Sequence, residues 1–154
     1  MTAAPATRHQ RVVVKLVMRL GGYCEARGGE VLIAPYDVYF SQTNVVEPDV
    51  LYVREEHRDR IEKRFLRSAP DLVVEVSSPS TRRLELVRKR ELYERFGVPE
   101  YWFIDLDADR VEIYRLEGGR YGRPLPSVRG DTIQTPQAQG FTLEVEDLLG
   151  PPED

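Results

Sequence analysis

The chain has a single cysteine, Cys24, in 154 residues. One thiol closes no internal disulfide and supplies too few sulfurs for a cysteine-based zinc site. A stapled secreted scaffold and a zinc-ribbon type of fold are therefore excluded. Long apolar runs are missing as well. Nothing approaches the roughly 18 apolar residues needed to span a bilayer. The short run Val12-Val13-Val14 is broken by Lys15 and Arg19, so it does not read as a signal peptide. A soluble cytoplasmic protein with no membrane partner is the expectation. Lysine is scarce, three residues against 19 arginines, a bias that codon usage alone can produce. No glycine pair has the arrangement of a phosphate-cradling loop. No helix-turn-helix, zinc finger or aromatic-basic platform is recognisable.

What is present suits one folded domain over residues 1–154, with its core at about 8–149. Hydrophobic residues make up 41% and charged residues 31% of the chain, enough apolar material for one core and too much for intrinsic disorder. The formal net charge is −4, which argues against a basic coat that grips nucleic acid loosely. The distribution is uneven. Residues 141–154 carry five acids and no Lys or Arg, whereas residues 82–95 carry six cations against three acids. The ordinary reading of such a charge-rich helix is a solvated face.

Apolar spacing predicts a first helix over residues 9–20, ended by Gly21-Gly22. Strands are expected at 30–34, 36–41 and 50–53. Residues 55–67 are polar enough to be a short helix or a solvated loop, with His57 in solvent. The β-branched run at 71–77 is the clearest buried strand. Ser78-Pro79-Ser80 reads as the start of a second helix that runs to about Phe96 and stops at Gly97. Further strands follow at 100–106 and 110–116 around the turn Asp107-Ala108-Asp109, then near 120–124 and at 140–145. Helix, strands, helix, strands is a mixed sheet flanked by helices, in the α/β or α+β class.

Two carboxylates stand in unusual settings. Asp49 follows Pro48 at the start of a short strand. Glu75 lies inside Leu72-Val73-Val74-Glu75-Val76, where period two puts it on the face of Val73 and Ser77. An acid in a core strand is costly unless paired or bound to a cation. The plain alternatives are an edge position in solvent or an ion pair with an arginine. On the next helix Glu85, Lys89 and Tyr93 share a face, which by itself suggests a surface Glu–Lys pair. Taken together, Asp, Glu and Lys form a sensible phosphodiester-cleavage set. Two carboxylates offer the oxygen ligands that Mg²⁺ prefers, the metal activates water, and an ammonium stabilises the transition state.

The runs Ala69-Pro70-Asp71-Leu72-Val73-Val74-Glu75-Val76-Ser77-Ser78-Pro79-Ser80-Thr81 and Gly97-Val98-Pro99-Glu100-Tyr101-Trp102 carry a family resemblance, joined by Lys89, Tyr93 and Asp105. His9, Ala34-Pro35-Tyr36-Asp37-Val38 and Glu47-Pro48-Asp49-Val50 extend it. The chain resembles the Uma-type restriction-endonuclease family, formerly a domain of unknown function, within the PD-(D/E)XK nuclease superfamily. The family is named mostly by fold. The resemblance implies a restriction-endonuclease-like core, a mixed central sheet flanked by helices, with extra hairpin strands. It implies a metal-dependent endonuclease that hydrolyses DNA phosphodiester bonds with Mg²⁺ or Mn²⁺, and a homodimer.

By that carry-over Asp49 is the acid of the PD motif and Glu75 the second acid. Both would bind the metal, helped by the Val76 carbonyl. The superfamily lysine, usually two residues after the second acid, is replaced there by Ser77 and moved to Lys89. Arg82, Arg83, Arg88 and Arg90 are candidates for phosphate contact, and Tyr93 is a possible accessory residue. Asp37 is either an additional metal ligand or a structural acceptor. Trp102 reads as core, Cys24 as an inert thiol, and His9 as a residue packing near the site. Two other readings remain open: a nuclease fold that acts on RNA, and an inactive interaction module.

Overall fold

The structure is a computed structural model that describes residues 7–77 and 83–152. It opens with helix α1 (Thr7–Arg27), which buries Val12, Leu16 and Leu20 at four-residue intervals along one stripe. The helix does not end at Gly21-Gly22. It continues to Arg27 and is stopped by Gly28 and Gly29, both at φ +90°. The extra turns are held from outside. Tyr23 Oη and Arg27 Nη1 both donate to the Gln139 carbonyl, at 2.9 and 2.8 Å, and the Tyr23 ring meets Tyr52 and Phe141 edge-on. Such contacts outweigh the roughly 1 kcal/mol cost of each helical glycine.

Strands β1 (Glu30–Ile33), β2 (Asp37–Tyr39), β3 (Val45–Val46) and β4 (Val50–Val53) come next. A 3₁₀ turn (Glu55–Arg60) leads to β5 (Phe65–Arg67) and the buried β6 (Leu72–Val76). Helix α2 (Arg83–Arg95) crosses over to β7 (Glu100–Asp105), which turns into β8 (Arg110–Glu117). The chain finishes with β9 (Arg120–Tyr121), β10 (Leu125–Val128), β11 (Thr132–Gln134), β12 (Thr142–Glu144) and α3 (Val145–Leu149). The fold is α+β, as expected from the order of elements. The anticipated start of α2 at Ser78-Pro79-Ser80 lies outside the described residues.

The main sheet runs β1-β4-β6-β7-β8-β10, with β9 paired to β8. Only β6 and β7 are parallel in it, as a crossover through a helix requires. A small sheet, β3-β2-β5, and the β11–β12 hairpin lie beside it. Strands β3, β5, β10 and β11 and helix α3 are additions to the sequence reading. They are two to five residues long, too short for a period to show.

Both faces of the main sheet are covered. Leu72, Val74, Val76, Trp102 and Ile104 join Val12, Leu16 and Leu20 in the core under α1. Val73, Tyr101, Tyr93 and Tyr114 form a second, aromatic core under α2. Trp102 is fully buried, as expected of a core residue. His57 is not solvated: its Nδ1 lies 2.8 Å from Oδ1 of the buried Asp71, whose other oxygen accepts the Arg54 N–H. Burial pushes the Cys24 thiol up to about 11, which keeps it protonated and inert. Among the described residues no helix is long and apolar enough to cross a membrane.

Candidate active site

Asp49 precedes β4, and Glu75 is the fourth residue of β6. The antiparallel pairing of β4 with β6 brings these two acids to the same end of the sheet. Two hydrogen bonds tie them together. The Asp49 N–H donates to Glu75 Oε1 at 3.2 Å, and the Val76 N–H donates to Asp49 Oδ2 at 2.8 Å. Each carboxylate thus grips the backbone beside the other. Neither strand can slip in register without breaking both bonds.

Glu75 shows only 3% of its side chain to solvent, whereas Asp49 shows 27%. The strand's alternation explains the depth. Leu72, Val74 and Val76 face α1, and Glu75 faces α2 with Val73, as period two requires. Helix α2 then supplies the partners. Lys89 Nζ lies 3.2 Å from Glu75 Oε2, and the Tyr93 hydroxyl donates to the same oxygen at 2.6 Å. Lys89 and Tyr93 are four residues apart, so one helix face delivers both. Glu85, on that face one turn earlier, is exposed. The site therefore holds an ion pair to Lys89, in place of an edge glutamate or an arginine pair.

Burial pushes the Glu75 carboxyl above the usual carboxylate range. The Lys89 ammonium opposes that shift, the nearby Asp49 charge adds to it, and the bonds from Tyr93 and the Asp49 amide oppose it. Burial and the Glu75 charge hold the Tyr93 hydroxyl well above its ordinary range, so it stays a donor. The buried Glu75 charge beside the partly exposed Asp49 is a like-charge pair that a cation relieves. Among the described residues no group of three or more His, Cys, Asp and Glu side chains converges. This donor set fits Mg²⁺, which is commonly held by one or two carboxylates and keeps waters for the rest of its octahedron. It would not make a closed all-protein cage.

His9 comes to the site from α1. Its Nε2 is 3.5 Å from Asp49 Oδ2, and its buried Nδ1 has no partner among the described residues. The sequence reading placed His9 near the site, and tertiary packing decides that its neighbour there is Asp49. Asp37 heads β2 in the small sheet and makes no hydrogen bond or ion pair with Asp49, Glu75 or Lys89 among the described residues. Arg83 and Arg90 line a groove next to the site. Arg88 is exposed and does not line it. Arg82 lies outside the described residues.

A search of curated proteins finds no significant match. Among solved structures, the chain is similar to the crystal structure of a putative nuclease belonging to DUF820 from Anabaena variabilis, with a TM-score of 0.80 at 18% sequence identity. That similarity covers 97% of this chain and 84% of the other, and it shows a shared fold. The family model described as Uma2, putative restriction endonuclease, matches residues 1–146, and the chain belongs to that family.

Proposed function

We propose that this protein is an endonuclease that uses Mg²⁺ or Mn²⁺ to hydrolyse phosphodiester bonds in DNA. The observation that carries the reading is the Asp49–Glu75 pair, cross-tied through backbone amides, with the Lys89 ammonium 3.2 Å from Glu75. A buried glutamate beside a second acid is expensive to keep, and its placement under a cationic helix suits a reaction that builds negative charge on phosphorus.

Asp49 and Glu75 would hold the metal, with the Val76 carbonyl as a further oxygen. When bound, the metal lowers the pKa of a coordinated water and neutralises charge on the phosphate. Lys89 reaches solvent while keeping its contact with Glu75, so its ammonium is placed to stabilise the pentacovalent transition state. Tyr93 holds Glu75 Oε2 in one orientation and lends a proton to a hydrogen bond that favours the ionised carboxylate. In the overall step water adds to phosphorus and one P–O ester bond breaks, leaving a phosphomonoester and a hydroxyl. Arg83 and Arg90 stand where the substrate strand would approach, and Arg88 is placed for a more peripheral phosphate contact. A second copy of the chain, in the homodimer the resemblance implies, would supply a second such site.

Nicking of supercoiled DNA tests this reading. The expected result is nicking with Mg²⁺ or Mn²⁺ that disappears with EDTA and in Glu75→Gln. Cleavage confined to structured RNA would move the substrate to RNA. No cleavage of either, with nucleic-acid binding unchanged by Glu75→Gln, would make the protein an interaction module.

A further inference from the structure

The sheet face that carries Glu75 continues past it. In strand register Glu75 sits opposite Phe103, and Phe103 opposite Glu112. These three residues form one row across β6, β7 and β8. Neighbouring strands are about 4.8 Å apart, so the row leads from the site directly into a groove between the sheet and α2. The groove has a volume of about 440 Å³. That lies at the small end of ligand pockets, wide enough for one nucleoside and too small for a duplex.

Its walls are aromatic and evenly charged. The Arg90 guanidinium lies over the Tyr114 ring at 5.2 Å and donates to the Tyr114 hydroxyl at 3.1 Å. Tyr114 in turn stacks on Tyr101, with centroids 5.5 Å apart and planes 23° apart. Arg90 is thus a flat cation fixed in place, and the half-buried Phe103 ring lines the same groove. Arginine planes and aromatic rings are the surfaces on which unpaired bases stack. Among the described residues three arginines line the groove, Arg83, Arg90 and Arg110, and so do three acids, Asp105, Asp107 and Glu112. A run of phosphates would meet repulsion from the acids. A base edge, which carries both donors and acceptors, matches both signs.

We propose that this groove seats one unpaired nucleoside of the strand beside the bond to be cut, so that the substrate is nucleic acid that is single-stranded at that point. This rests on the nuclease reading for its orientation, but the groove can be tested apart from cleavage. The full-length protein is titrated in EDTA, where no cleavage occurs, against an oligodeoxynucleotide carrying 2-aminopurine. The same sequence is then used as a blunt duplex. The expected result is quenched 2-aminopurine fluorescence with the single strand and affinity about tenfold above that for the duplex, the scale of one stacked base. Phe103→Leu, which keeps an apolar side chain, and Arg90→Met each remove the quenching and the preference. Equal or tighter binding of the duplex overturns the proposal, as does quenching that survives both substitutions. Plasmid nicking lost in Glu75→Gln but combined with duplex preference would sink the groove and leave the nuclease reading standing. Quenching without any nicking would do the reverse.

Discussion

Glu75 and Glu100 are both buried glutamates on adjacent strands, one on each face of the main sheet. Glu100 is on the face opposite Glu75, with Trp102, and is fully closed from solvent. Its oxygens are taken by Trp102 Nε1 at 2.6 Å and Arg115 Nε at 3.0 Å, and Arg115 continues to the Gln134 carbonyl. That arrangement ties β7 to β8 and to the β11 strand, and among the described residues the Glu100 carboxylate bonds only to Trp102 and Arg115. Glu75 has a lysine, a tyrosine and a backbone amide, and beside it the charge of Asp49. The difference teaches that burial does not mark a functional acid. What separates the two is a second carboxylate, Asp49, itself partly open to solvent.

The comparison breaks most sharply in activity. On the proposed mechanism, replacing Glu75 by Ala should lower nicking by at least about a hundredfold, since several kcal/mol of metal-derived stabilisation would be lost. Glu100→Leu should leave the nicking rate of the folded protein unchanged. Equal losses in both, measured on protein shown to be folded by circular dichroism, would erase the distinction.

Stability should respond in the opposite order. Glu100→Leu leaves the buried Trp102 N–H without its acceptor, while Arg115 keeps the Gln134 carbonyl, and should cost about 2–3 kcal/mol in urea unfolding, the scale of a buried donor left unpaired. Tyr93→Phe keeps the ring but removes the donor to Glu75 Oε2. A bond to a charged group of this kind is worth about 2 kcal/mol, and the same unfolding experiment reads it.

The smallest effect is the most specific. Burial raises the folded-state pKa of Glu75. Its contribution to stability is therefore fully present below the ordinary carboxyl pKa and is lost as pH rises through the folded value. Lys89 limits that loss because it favours the ionised form. Lys89→Met should thus be nearly neutral at low pH and cost about 1 kcal/mol at pH 8, the scale of an ion pair that reaches solvent. A pH-independent cost would mean that Lys89 acts through packing of its stem instead.

Much of the architecture was legible because its signals are local. The β-branched run of β6 and the glycine after α2 each act over a few residues. The extent of α1 was not, because Tyr23 and Arg27 draw on Gln139, more than a hundred residues away. At the site, Asp49, Glu75, Lys89 and Tyr93 could be singled out by position and resemblance, and the structure places all four within one hydrogen-bonded group. His9 was read as packing near the site, and the structure sets it beside Asp49, whereas the residues of the Phe103–Glu112 row carried no signal. Their significance comes from register across strands.

By itself the sequence determined the strand that buries an acid, the helix that presents a lysine and a tyrosine on one face, and the family. Those follow from periods of two and 3.6 and from residue types in fixed order. Tertiary structure alone decided that Lys89 pairs with Glu75 and that Glu100 is a structural tie. It also decided that Arg83 and Arg90 of the basic segment face a groove that, among the described residues, has as many acids as arginines. Such facts depend on which strands become neighbours, and hydrogen bonding between distant segments sets that.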